Sequence, residues 1–475
     1  MIAAGFAVGC LLVAFLLTRP RRTALPTLRS WPPAFGLLVS ALTVVPPYAT
    51  IAFGIGVDDL LLPLGLLLLL PHVRWDVVGR VPYGRWLLAG VAALAAGMVV
   101  SSFVNADGPV DVVSFLVRGP ARVLLYTVAV LVIAGQIPRH RVRWTVTRVL
   151  AGIGTAEALF GLFAYGVGVL LGGPVFGLEE ARGNTSLLGE VPGRIIGTFD
   201  LSSNFLGAVL TLSIPVTLGL LLDGRGRARL CWTLAVLVQF TALVLTFTRS
   251  SLGLTLLACV VLLALRARIR YLVLGLVLVL GLLIGTPAGE RLVSDQTDRL
   301  ALWTSAWTVF LDNPLAGVGP GEQATFTAAD PETYRATSFG VAGSNAHNTV
   351  LLAAAENGVL GLVGALLLNV AFVLVAVALI RRTRASGTRS VQPIGVAVAV
   401  LAFLAQGMVN NLFTVTLTAT TLVVLVAGAA MPWLDRAPAG PEGESAGGRQ
   451  DTPADDPEDV RDGGATGLLP GSNQS

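Results

Sequence analysis

A few polar residues stand out in a chain that is otherwise mostly hydrocarbon. Arg249 interrupts two apolar runs in ALVLTFTRSSLGLTLL, and no other charge lies between Cys231 and Leu265. Arg194 lies in VPGRIIGTFDLSSNFLG, bracketed by Gly193 and Gly197, which permit close backbone approach; Asn204 falls about one turn into the apolar run that follows. Arg291 and Arg299 open a long polar stretch. His347, one of three histidines, sits in SNAHNTVLL, where that stretch turns apolar again, with Asn345 and Asn348 beside it to orient the ring. Glu356 follows in AAAENGVLGL. Arginine is suited to bidentate phosphate binding, and an imidazole with a pKa near 6.5 is a general base at neutral pH. Several Arg and one His, without a carboxylate pair, a metal-ligand cluster or a serine nucleophile elbow, suit the displacement of a diphosphate by a hydroxyl. Arg would neutralise charge developing on the pyrophosphate, and His would take the acceptor proton. Glu356, within an apolar run, needs a partner, and an Arg of the same face is the expected one.

Structural readings compete with these. Arg249 in a tight turn between two spans could snorkel to the headgroups. The Arg194 segment could be a helix entry capped by Asp200 or Ser202, which is compatible with a binding role. A lone His can be purely structural.

The elements that must position these residues are membrane spans. The chain has 475 residues, 54% hydrophobic and 13% charged, with a mean hydropathy of +0.77. Soluble chains carry about 25% charged residues. All 32 basic residues are Arg, which excludes a P-loop, whose Lys holds the phosphates. The three cysteines, Cys10, Cys231 and Cys259, lie in apolar runs and form neither a disulfide framework nor a metal pair. With about 20 apolar residues per crossing, about 13 spans are predicted, near 2–18, 34–54, 60–71, 86–104, 112–135, 148–171, 201–222, 230–248, 250–266, 271–287, 348–380, 391–409 and 412–432. The fold class is therefore all-α, a polytopic integral membrane protein of about 12–13 transmembrane helices with one large extracytoplasmic loop.

Arg-rich loops fall on alternate sides, at 19–29, 74–85, 139–148, 225–229, 266–270 and 381–389. The positive-inside bias puts them in the cytoplasm. Loops 172–200 and 288–347 then face outward, so the polar residues above share the extracytoplasmic face. Residues 1–434 form the membrane domain. From 435 to 475 the composition turns to Pro, Gly, Asp, Glu and Ser, which predicts a disordered acidic cytoplasmic tail. Within the large loop, TDRLALWTSAWTVF has apolar residues at helical spacing. It predicts an interfacial amphipathic helix with Trp303 and Trp307 at the headgroup level, stopped by Pro314 and the glycine-rich turn of DNPLAGVGPG.

The order GRIIGTFDLSSN, an Arg in a two-span turn, R-x3-W-x3-W-x2-F-x-DNPLAGVGPG and AHN-x2-L-x4-ENGVLG resembles the O-antigen ligase and polymerase family. The motif detail covers about 190–365. These are polytopic enzymes of the bacterial plasma membrane that transfer glycans from undecaprenyl diphosphate on its outer face. The resemblance implies that Arg249 and Arg299 bind the diphosphate and that His347 activates the acceptor, without metal, cofactor or nucleotide sugar. Arg194 and Glu356 match less closely, and with Asn204, Arg291 and Asn348 they are candidate substrate-binding residues. The partners implied are a polyprenyl-diphosphate glycan donor, a glycan, lipid or protein acceptor, and the bilayer; no nucleic acid is implied. The family often has Ser-Arg-Gly where this chain has Thr248-Arg249-Ser250, and an aromatic where it has Val350. Two alternatives are kept. One is a polyprenyl-phosphate-sugar transferase using Asp58 or Asp59 in the first outer loop. The other is a lipid-linked glycan flippase or transporter, although transport sites lie near the midplane and these Arg residues cluster near one face.

Overall fold

A computed structural model of the chain describes residues 83–124, 127–128, 140–171, 194–197, 203–265, 296–334, 345–386 and 390–410. The expected spans at 2–18, 34–54, 60–71, 271–287 and 412–432 lie outside them, as do the acidic tail, Arg291, Asp58 and Asp59. Among the described residues the regular elements are all helical: α1 (Gly84–Asn105), α2 (Pro109–Leu116, running into a π-helical turn at Val117–Ala121), α3 (His140–Leu171), α4 (Ser203–Asp223), α5 (Gly226–Leu245), α6 (Arg249–Leu265), α7 (Gln296–Asp312), α8 (Gln323–Ala329), α9 (Thr349–Ala385) and α10 (Gln392–Gly407). An apolar solvent leaves backbone groups nothing to bond except one another, so apolar runs of this length fold as helices. Five stretches among the described residues are long and apolar enough to cross a membrane: α1, 146–168 of α3, α4, α5 and α9. Helices α6 and α10 are apolar but shorter. The protein is an all-α, multi-pass membrane protein.

Helix α4 is the centre of one bundle. It touches α3, α5, α6 and α10, and Leu206, Leu210, Leu212 and Ile214 on it are almost wholly buried. A second pair, α1 and α9, packs backbone to backbone. A Cβ on Gly97 would lie 2.8 Å from the Gly361 nitrogen, and one on Gly364 would lie 2.4 Å from the Leu94 nitrogen. Small residues drive helix association in lipid because they allow this approach. Helices α9 and α10 join the two halves.

One end of the bundle is fastened by Asp223 at the end of α4. Its carboxylate accepts from the Ser390 hydroxyl at 2.6 Å and from the N–H of Val391 at 2.9 Å and of Gln392 at 3.2 Å, where α10 begins. The other end gathers the starts of α4, α6 and α9 and the finishes of α1, α5 and α10, and it carries the residues singled out above.

Two elements differ from expectation. The span expected at 348–380 contains a break, because Gly358 has φ 63° and ψ −154°. The loop helix predicted around 300–310 is present as α7, but protein covers its apolar face. Leu302, Ala306 and Val309 are buried, and α7 packs on α9. Ala306, Val309, Val318, Tyr334, Ala346 and Ala355 form a small apolar core. The described part of the polar loop is therefore a folded cap seated on α9, with Trp307 left 42% exposed.

Candidate functional site

Arg194 is the anchor of a short irregular strap, 194–197, laid across α3. Ile195 and Ile196 are buried. A Cβ on Gly161 of α3 would meet the Ile196 carbonyl at 2.8 Å, and one on Gly197 would meet Glu157 Oε2 at 2.6 Å. The Ile195 N–H donates to the Leu245 carbonyl at 3.1 Å, which ties the strap to the end of α5. The Arg194 side chain donates from Nε to the Thr246 carbonyl (2.7 Å) and from Nη2 to Thr248 Oγ1 (2.9 Å) and Asn204 Oδ1 (3.3 Å). All of these acceptors are neutral. Burial first, and the nearby Arg249 second, hold the guanidinium below its ordinary pKa. Two cations are thus brought together. Asn204 holds Arg194, and its carboxamide oxygen also accepts from Thr248 at 3.4 Å.

Arg249 opens α6 after the three-residue turn 246–248, as the two-span reading expects. The turn is strained: Phe247 has φ 49°, an uncommon conformation for a bulky residue. Thr246 closes α5 by donating its N–H to Ala242 and Leu243. Thr248, through Arg194 and Asn204, fastens the turn to the strap and to α4.

The second group is built around His347. Its φ is 46°, and backbone strain of this kind collects at functional sites. The flanking asparagines hold backbone, where the sequence suggested that they orient the ring. Asn345 Oδ1 accepts the His347 N–H at 3.1 Å. Asn348 caps α9, accepting the N–H of Val350 at 3.0 Å and of Leu351 at 3.1 Å, and donates Nδ2 to the Met408 carbonyl at 3.0 Å. Arg299 on α7 donates Nη1 to the Val409 carbonyl at 2.6 Å. Burial first and the positive charge of Arg299 second keep the His347 imidazole below its usual pKa, so the ring is neutral at pH 7. Replacing Asn348 with Ala is expected to cost about 1 kcal/mol for the lost cap. Asn348→Asp keeps the cap acceptor but sets a carboxylate oxygen against the Met408 carbonyl where Nδ2 donated. Thermal unfolding of the purified protein should place both variants below wild type.

Glu356 stands apart from both groups. An Arg partner was expected. Its carboxylate is held instead by the backbone N–H groups of Gly321 and Gln323. The physical reason is the glycine-rich turn, which lies directly on α9. The N–H of Val318 donates to the Ala355 carbonyl (3.0 Å) and that of Gly319 to the Glu356 carbonyl (3.1 Å), while the Val359 N–H beyond the Gly358 break donates to Pro314 (2.8 Å). Backbone amides therefore reach the carboxylate first. Gln323, 1% exposed, accepts the Ala346 N–H on Oε1 at 3.0 Å, so Glu356 is connected to the His347 turn through one residue.

These residues can be compared with known proteins. Residues 234–366 match the O-antigen ligase family. Over this stretch the chain is similar to that family. The stretch runs from α5 into α9 and contains Arg249, Arg299, His347, Asn348 and Glu356; Arg194 and Asn204 lie before it. No curated protein matches the chain. The match implies glycan transfer of ligase or polymerase type, a lipid-linked glycan substrate and a membrane setting.

Some residues around the matched stretch escaped the sequence reading. Glu157, 4% exposed, lies against Gly197; an acid within an apolar run was the available signal. The residues 406–410 at the end of α10 were read as the end of a span. Their carbonyls receive Thr349 (2.9 Å to Gly407), Asn348 and Arg299. Only the pair Asn410-Asn411 hinted at a polar role.

Proposed function

We propose that this protein transfers or polymerises a glycan from a polyprenyl diphosphate carrier to an acceptor hydroxyl, on the extracytoplasmic face of a bacterial plasma membrane. The observation that carries the reading is the pairing of groups within and beside the matched stretch. Arg194 and Arg249 are neighbouring cations, and a neutral His347 lies beside a third cation, Arg299. Arg249, Arg299 and Arg194 hold the diphosphate and take up the charge that develops on it. His347 accepts the proton of the attacking hydroxyl. The bond from C1 to the new oxygen forms as the bond from C1 to the diphosphate oxygen breaks, which inverts the anomeric centre. The chain's own Arg residues supply the electrostatics, so no metal is required. The alternation of Arg-rich loops supports the outward orientation.

The test is transfer in proteoliposomes, with carrier-linked glycan from the host as donor and EDTA present. Wild type is expected to extend or transfer glycan. Arg249→Ala is expected to lose about 100-fold, the usual cost of one stabilising donor. Carrier lipid crossing the bilayer with no glycan transferred would sink the reading in favour of a transporter.

A further inference from the structure

The two groups of the site come from different parts of the fold, and one short segment touches both. The last turn of α10 and the residues after it, 406–410, present three carbonyls in a row to the His347 side: Gly407 to Thr349, Met408 to Asn348 and Val409 to Arg299. The same segment turns its side chains to the Arg249 side. Asn410, 2% exposed, donates Nδ2 to Ser250 Oγ at 2.9 Å, beside Arg249. Gln406, wholly buried, donates Nε2 to Ser251 Oγ, and its Oε1 has no hydrogen-bond partner among the described residues. Burying a carboxamide with half its capacity unused is unfavourable, and between Gln392 at its start and Gln406 α10 is apolar. An apolar residue would pack there without that cost, so fixing α6 is the role that accounts for Gln406.

We infer that the α10 end is the spacer between the Arg194–Arg249 group and the His347–Arg299 group of the site, with Asn410 as its positioning residue. This rests on the transfer reading above. The carbonyls at a helix end need donors, and here the donors include Arg299 and the residue next to His347. Fixing this turn therefore fixes those groups, and the Asn410–Ser250 bond sets them relative to Arg249. Asn410 touches neither donor nor acceptor in this scheme. It acts on alignment, to which displacement reactions are steeply sensitive.

The test compares wild type with Asn410→Ala, Ser250→Ala, the double variant and the exchange Ser250→Asn with Asn410→Ser. In the transfer assay each single variant is expected to lower kcat about tenfold with the donor KM held. The double variant should fall no further, because both singles break the same bond. The exchange should recover most of the rate. A second readout does not depend on activity. With Cys10, Cys231 and Cys259 replaced, spin labels at the exposed Thr241 and Thr304 report the distance between the two sides. Asn410→Ala is expected to broaden that distribution. An unchanged distribution overturns the inference, as does an unchanged kcat or a drop that appears only in donor KM. If wild type transfers nothing while Asn410→Ala broadens the distances, the spacing role stands and the transfer reading fails.

Discussion

His347→Ala is expected to lower the transfer rate about 1,000-fold, within the range that a positioned general base supplies, while the protein unfolds at nearly the wild-type temperature. The pH profile gives the sharper check. The reaction needs the neutral imidazole, so activity is full above the His347 pKa and is lost as pH falls through it. Burial, and then Arg299, place that pKa below the ordinary value, near 6.5, so the acid limb should lie below about 6.5. Arg299→Gln removes the second cause and leaves the first, and the limb should move upward towards the ordinary value. A limb that stays put in Arg299→Gln, or an alanine variant that keeps its rate, would remove His347 from the role of base.

Gly358→Ala and Gly317→Ala are expected to be the most damaging changes that touch no charged group. Gly358 combines φ 63° with ψ −154°, a region open essentially to glycine alone. A Cβ there would lie 2.4 Å from the Leu315 carbonyl oxygen. Gly317 has φ 65°, and a Cβ on it would lie 2.3 Å from the Glu356 carbonyl carbon. Each contact is backbone on backbone, so relief requires lifting the glycine-rich turn off α9, which also withdraws the amides that hold Glu356. Strain and clash together should cost about 3 kcal/mol or more, read as a large drop in the unfolding midpoint with transfer lost alongside. Gly253→Ala is the control: it sits inside α6 with open space around it, and its midpoint should hold or rise. A Gly317→Ala or Gly358→Ala protein as stable as wild type would show that the turn does not dock as described.

What the sequence determined by itself is the part written in composition and in short-range pattern. Apolar runs long enough to cross a bilayer became helices because lipid offers the backbone no other partner, and α1, α4 and α5 lie within a few residues of where hydropathy put them. A tight turn at Arg249 was legible between two apolar runs, and the helix carrying Trp303 from apolar residues at helical spacing. Arg249, Arg299 and His347 stood out as candidates because charge is rare in such a chain. Tertiary structure decided what those residues touch. The partner of Glu356 could not be read from its neighbours in sequence, because the amides that hold it come from Gly321 and Gln323, more than thirty residues away and folded back over a helix break at Gly358. That Asn204 holds Arg194 and Asn348 caps α9 also came from the fold, since a short amide satisfies the nearest backbone or side-chain group. Residues 406–410 read as the end of one more span, and only the packing of α10 against α6 and α9 shows that its last carbonyls receive the groups on which the site depends. Helix ends leave carbonyls to be satisfied, but the sequence does not say by whom; that is settled by which ends the fold brings together.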